Sequence, residues 1–178
     1  MIWFTSDWHF CHDRAFIYEP RGFKNVYEMN ETIIKNHNNV VQPNDDVYCL
    51  GDCMLNDNEL GIKCIKQLKG NIHIVLGNHC TDTRAELYKT CWNVVEVELA
   101  LRFKYNGYHF FLTHYPCFTE NLEKESLKKC TCNLHGHTHQ KNKFFNNNPY
   151  MYNVALDAHN CTPVSIEQII KDIKKELS

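Results

Sequence analysis

The 178-residue chain carries 19 basic against 21 acidic residues, a net charge of -2, and is 43% hydrophobic. That length suits a single α/β-sized domain, residues 1–178, with enough chain to bury a core, and the charge balance excludes a dedicated surface for gripping long nucleic acid. Met1-Ile2-Trp3-Phe4 runs into Thr5-Ser6-Asp7 without a basic leader, and no stretch approaches the ~20 apolar residues of a membrane span, so a cytoplasmic protein with no membrane contact is expected.

Residues 1–6 form an apolar run that breaks at Asp7, the pattern of a buried strand ending in a functional loop. Val26 to His37 sets Met29, Ile33 and Ile34 at helical spacing behind Asn25, a good N-cap. Val47 to Leu50 is a second strand, stopped by Gly51. Asn58 to Leu68 is helical again, with Leu60, Cys64, Ile65 and Leu68 on one face and Gly70 at its end. Ile72 to Leu76 is a third strand, stopped by Gly77. Strands alternating with helices predict a parallel sheet with crossovers.

The second half changes character. Val94 to Tyr105 and Tyr108 to Thr113 flank Asn106-Gly107, a strong hairpin signal. Glu120 to Lys129 reads as a surface helix, and Asn146-Asn147-Asn148 as a turn. Leu134-His135 leads into Gly136, and Tyr150 to Leu156 is another strand. Val164 to Leu177 closes as an amphipathic helix capped by Ser165, with Ile166, Ile169, Ile170 and Ile173 inward. The fold class is α/β with an antiparallel portion.

Ten cysteines would suggest a disulfide framework in a small secreted chain. Here Cys49 and Cys64 lie inside apolar runs, where a free thiol behaves as a small hydrophobe. No C-x-x-C pair occurs. The rival to an enzyme is a zinc-binding interaction module built from Cys130, Cys132, His135 and His137.

Each strand delivers a polar cluster at its end: Asp7-Trp8-His9, Gly51-Asp52, Gly77-Asn78-His79, Thr113-His114 and Gly136-His137-Thr138-His139. The carboxyl ends of strands in open α/β sheets line the ligand crevice. Imidazole with carboxyl and carboxamide oxygen suits hard or borderline divalent metals. On extended backbone, residues two apart point the same way, so Asp7 with His9, and His137 with His139, can each converge on one site. Glycines 51, 77 and 136 allow sharp turns and close approach. Singly, Asp7 or Asp52 could be a turn residue and His114 a hydrogen-bonded histidine; five such clusters in one chain argue for a common centre.

This ordered set, spanning residues 7 to 139, resembles the calcineurin-like metallophosphoesterase family. Ser6-Asp7-Trp8-His9-Phe10-x-His12 further resembles a small bacterial and phage branch without a cap domain. The resemblance implies a β-sandwich of two mixed sheets flanked by helices. It implies two divalent ions (Mn, Fe, Ni or Zn), one held by Asp7, His9 and His139, the other by Asn78, His114 and His137, with Asp52 bridging. His79 would be the catalytic histidine beside the leaving group, and a metal-bridging hydroxide would attack phosphorus in line. The substrate implied is a phosphoester, nucleotide-like diesters being favoured because an uncapped domain leaves an open cleft. A phosphomonoesterase on the same centre, and a member that binds phosphate ligands without turnover, are the alternatives within the family. Two departures stand out: Cys80 follows Gly-Asn-His, and Cys53 follows Gly-Asp, where many members carry acidic residues. His12 and Arg21 are candidate contacts to substrate phosphate, while Asp157 and His159, after the last predicted strand, are minor candidates as ligands. Nothing in the sequence indicates an oligomeric state.

Overall fold

The computed structural model describes residues 1–119 and 126–178. Strand β1 (Ile2–Thr5) leads through a short helix, α1 (Ala15–Tyr18), to helix α2 (Val26–Val40). Asn25 caps α2, its side chain accepting from the Glu28 amide at 2.9 Å. Strand β2 (Asp46–Cys49), helix α3 (Asn58–Ile65), strand β3 (Asn71–Val75), helix α4 (Asp82–Tyr88) and strand β4 (Val94–Glu98) follow. β1, β2, β3 and β4 pair in parallel, as alternation of strand and helix requires. Helix α4 has no counterpart in the sequence reading, because its seven residues hold too few apolar positions to reveal a period.

The hairpin is present, but its first arm is shorter than expected. The run from Val94 to Tyr105 divides at Leu99-Ala100 into β4, in the first sheet, and β5 (Leu101–Tyr105), in the second. No glycine or proline marks that break, and Leu99 is exposed at it. β5 pairs antiparallel with β6 (Tyr108–Leu112), which runs parallel to β7 (Thr131–His135), itself parallel to β8 (Met151–Asn153). β9 (Val164–Ser165) returns antiparallel to β1, and helix α5 (Ile166–Glu176) starts on a Ser165 cap. Two mixed sheets result, ordered β4-β3-β2-β1-β9 and β5-β6-β7-β8. Of the surface helix expected over Glu120 to Lys129, residues 120–125 lie outside the described residues, and 127–129 form a turn.

Strand alternation splits the core in two. One face of the first sheet presents Val47, Cys49, Ile72 and Ile74 to Met29, Ile33, Ile62 and Ile65 of α2 and α3. The other face sends Phe4 and Val75 against Phe110, Leu112, Leu134 and Tyr152 of the second sheet, closed by Ile166, Ile169, Ile170 and Ile173 of α5. Cys11, Cys49, Cys53, Cys64, Cys91 and Cys161 are buried thiols that fill these layers. No helix among the described residues is long and apolar enough to cross a membrane.

His37 ties α2 to the loop after α3: it is fully buried, and its Nε2 donates to the Lys69 carbonyl at 2.9 Å. Burial pushes its pKa down to about 4, against a partly offsetting pull from that carbonyl. Protonation would add a donor at Nδ1, which is buried without a partner. The folded value lies below the unfolded one, so the unfolded chain binds more protons between the two. The stabilisation is complete above pH 6.5 and is lost as pH falls toward 4, amounting to roughly 3 kcal/mol at most. In urea denaturation, the stability gap between the protein and its His37→Gln variant should narrow by about 2 kcal/mol from pH 7.5 to pH 4.5. A gap that does not change with pH would refute this.

Candidate metal centre

The loops that follow β1 and β2 stay zipped beyond the strands. Asp7 N donates to Gly51 O at 3.0 Å, His9 N to Asp52 O at 2.9 Å and Phe10 N to Cys53 O at 3.0 Å. On the second sheet, Gly136 N donates to His114 O at 3.0 Å, and a bridge between Ser6 and Ala155 joins the two halves. All five polar clusters therefore arrive at one rim.

The backbone there is not extended, which corrects the reasoning from alternation. Asp7 (φ 58°), His9 (φ 49°), Asp52 (φ 51°), His137 (φ 69°) and His139 (φ 50°) all adopt left-handed conformations. Such residues cost of order 1–3 kcal/mol each and persist where surrounding structure over-determines them. The side chains of Asp7 and His9 still converge, but through two sharp turns bracketing Trp8.

Two groups form. Asp7, His9 and His139 offer ligand atoms within 4.8 Å of one another. His9 Nε2 and His139 Nε2 lie 3.2 Å apart, with Asp7 Oδ1 at 3.7 and 3.8 Å from them. Asp7, Asp52 and His114 form a second such group. Around it, Asn78 Oδ1 is 2.9 Å from His114 Nε2 and 2.9 Å from His137 Nδ1. Asp52 Oδ2 lies 3.3 Å from His114 Nε2 and 3.9 Å from His9 Nε2, between the two groups.

Each carboxylate divides its oxygens. Asp7 Oδ2 accepts from the His137 amide at 2.9 Å, and Asp52 Oδ1 from the His79 amide at 2.9 Å. Asp7 Oδ1 is buried with no hydrogen-bond partner. Buried carboxylate oxygens are seldom left so, and an orphaned oxygen among imidazole nitrogens is the donor set a divalent cation takes. The close packing needs bare backbone at two positions. A Cβ on Gly136 would strike Ser6 Oγ and Asp7 Oδ2, and one on Gly77 would strike Asp52 Oδ1.

The charges are tightly linked. Burial would raise the Asp52 pKa, but the hydrogen bond and charge of His114 outweigh it and bring it down to about 2. Burial likewise opposes the His114 cation, yet Asp52 and Asp7 lift that imidazole to about 9. Burial raises Asp7 and, with His139 beside it, drives His9 well down.

The structure brings together Asp7, His9, Asp52, Asn78, His114, His137 and His139. His79 stands beside them, its ring centroid 5.7 Å from that of His9. Its backbone is held at both ends, the carbonyl accepting from Arg84 Nη1 at 2.6 Å. His12 is 6% exposed and meets His9 Nδ1 at 3.2 Å, so it braces that ring from behind. Arg21 is a correction. Its side chain is 1% exposed and paired with Asp157 at 2.8 Å, so its guanidinium is engaged inside the protein. Asp157, a minor candidate in the sequence, lies against the site, where His139 Nδ1 donates to it at 3.1 Å. Arg84 was missed and Asp157 underweighted because neither belongs to a motif; only the chain's folding brings them in. His159 does stay structural, donating to Asn153 O at 2.8 Å. Cys80 turns to Tyr88, with 3.7 Å between sulfur and hydroxyl, and serves neither His79 nor the ligand groups. The zinc module does not form: the metal-competent groups among the described residues contain no cysteine, and Cys132 packs in the core between the sheets.

The chain is similar to several known proteins. The profile of the calcineurin-like phosphoesterase superfamily domain matches residues 1–154. An uncharacterized protein of Methanocaldococcus jannaschii is 36% identical over 180 residues, covering 98% of this chain and 92% of its own. The crystal structure of a protein of unknown function from Aquifex aeolicus superposes with a TM-score of 0.73 at 26% identity, covering 96% of this chain and 98% of that one. A novel archaeal phosphodiesterase gives a TM-score of 0.48 at 18% identity, over 86% of this chain and 81% of its own. The profile matched over residues 1–154, with two mixed sheets and their helices, makes this chain a member of the calcineurin-like phosphoesterase superfamily.

Proposed function

We propose that the chain, as one domain over residues 1–178, is a metal-dependent phosphoric ester hydrolase that uses two divalent cations (Mn, Fe, Ni or Zn) and prefers phosphodiesters. The observation that carries this reading is Asp52. Its Oδ2 stands 3.3 Å from His114 and 3.9 Å from His9, within reach of both ligand groups. Asp7, His9 and His139 would hold one cation, Asn78, His114 and His137 the other, and Asp52 both. When bound, the cations supply positive charge for the phosphoryl oxygens and a water acidic enough to act as nucleophile near neutral pH.

The chain's own residues do the rest. His12 and Asp157 fix the rings of His9 and His139 from the side away from the centre. His79, anchored through its amide and carbonyl and edge-on to the His9 and His12 rings, would present its imidazole to the oxygen that departs. It donates a proton as negative charge grows there. Asn78 and His139 are exposed, so the rim is open enough for a phosphorus with two ester arms, which favours diesters, nucleotide-like ones included.

A chelator should abolish hydrolysis, and Mn²⁺ should restore it better than Mg²⁺, because the donors are mostly imidazole and Mg²⁺ prefers oxygen and keeps its waters. Bis-nitrophenyl phosphate should turn over faster than nitrophenyl phosphate. Full activity in excess chelator would remove the metal reading, and the reverse substrate order would make the enzyme a monoesterase.

His79→Ala should keep both cations and lose ~10²–10⁴ in rate on nucleoside or alkyl esters, whose leaving oxygens need a proton. Nitrophenyl esters, with acidic leaving groups, should lose far less. Equal losses on both with metal content intact would exclude His79 as the acid, and lost metal would make it a ligand.

A further inference from the structure

Arg21 and Asp157 lie 136 positions apart and are sealed together beside the centre, with side-chain exposures of 1% and 8%. The guanidinium makes a two-pronged contact, Nε to Oδ1 at 3.0 Å and Nη2 to Oδ2 at 2.8 Å. Such forks hold geometry as well as charge. Its outer nitrogens reach further. Nη2 donates to the Asp7 carbonyl at 2.8 Å and Nη1 to the Trp8 carbonyl at 3.4 Å. These are the carbonyls of the loop where Asp7 and His9 take left-handed backbone. Asp157 Oδ2 then accepts from His139 Nδ1 at 3.1 Å. With its proton on Nδ1, His139 keeps the Nε2 lone pair, the atom 3.2 Å from His9 Nε2 and 3.8 Å from Asp7 Oδ1. Asp157 falls beyond residue 154, where the match to the family profile ends.

We propose that Arg21 and Asp157 act as a positioning pair that sets how tightly the Asp7–His9–His139 group holds its cation, with no equivalent effect on the Asn78–His114–His137 group. The inference rests on reading the first three as ligands. One guanidinium fixes the loop carrying two of them, and through Asp157 it fixes the ring and tautomer of the third. Partners of this kind typically change metal affinity ~10–100-fold. The other group is braced independently. His114 Nδ1 donates to the Leu50 carbonyl at 2.7 Å, whereas Arg21 and Asp157 spend their hydrogen bonds on each other, the Asp7 and Trp8 carbonyls and His139. The two cation sites are therefore unequal by construction, and the inequality is set from outside the ligand sphere.

Calorimetric titration of the metal-free full-length protein with Mn²⁺ tests this without reference to turnover. Removing one partner would strand a buried charge, so the main variant removes both: Arg21→Met with Asp157→Leu, a swap that buried ion pairs often tolerate. The expected result is two Mn²⁺ equivalents in the parent and, in the double variant, one unchanged and one weakened ~10–100-fold. Arg21→Lys, which keeps the charge and loses the fork, should fall between them. Nitrogen NMR of the parent should find His139 protonated on Nδ1, an observation that needs no variant to fold. A folded double variant that binds both equivalents as the parent does overturns the proposal, as does a proton on Nε2 of His139 in the parent. If the double variant does not fold, Asp157→Asn replaces it, with the same two outcomes. A parent that binds no Mn²⁺ fails differently: it removes the ligand reading itself.

Discussion

The centre depends on two buried carboxylates that each do two things. Asp7 and Asp52 give one oxygen to a backbone amide in a different loop, that of His137 or His79, and turn the other toward imidazole nitrogens. Burying a carboxylate is costly unless it is paired and hydrogen-bonded. The amide contacts meet part of that cost and at the same time tie the loops after β1 and β7, and after β2 and β3, to one another. This is why bare glycine stands just before each donating segment. Any side chain at Gly136 or Gly77 would occupy the space of the carboxylate itself. The same bond thus decides where the loops sit and which oxygen remains to meet a cation.

The left-handed backbone at five candidate ligand positions follows from the same demand. A strand leaving a sheet in extended conformation would carry its next side chains up and away from the rim. A turn at each ligand folds them back over the strand ends. Asp, Asn and His tolerate this conformation better than most residues, so the residue types that suit the metal also suit the bend. Fixed partners hold the strain: Arg21 at the Asp7–Trp8 carbonyls, Gly51 and Asp52 carbonyls at the Asp7 and His9 amides.

Much of this was legible in the sequence, and the exceptions have physical causes. The clusters after each strand announced themselves because apolar runs and polar stops are local signals. The parallel half followed from alternation of strand and helix, and the Asn25 and Ser165 caps from side chains adjacent to the helices they start. What failed was non-local or weakly marked. Val94 to Tyr105 carries no breaker, so its division between two sheets is decided by packing. Arg21 in a polar loop looks like a surface residue, and only Asp157, far along the chain, makes it an interior one. The clusters do meet at one rim, but the geometry expected for Asp7 and His9 was wrong, since convergence came from turns rather than from a pleat.

The distribution of ligands over the chain has a consequence for how the molecule comes into being. The first sheet supplies Asp7, His9, Asp52 and Asn78, and the second supplies His114, His137 and His139. Each group draws on both, and the ties that close it span 130 residues or more, as between Asp7 and His137. Contacts of such separation form only after the entropy of closing long loops has been met. A nascent or half-folded chain with one sheet formed can assemble neither cage. The candidate cation-binding groups therefore come together only with the completed tertiary structure, and their assembly depends on docking of the two sheets rather than on either alone.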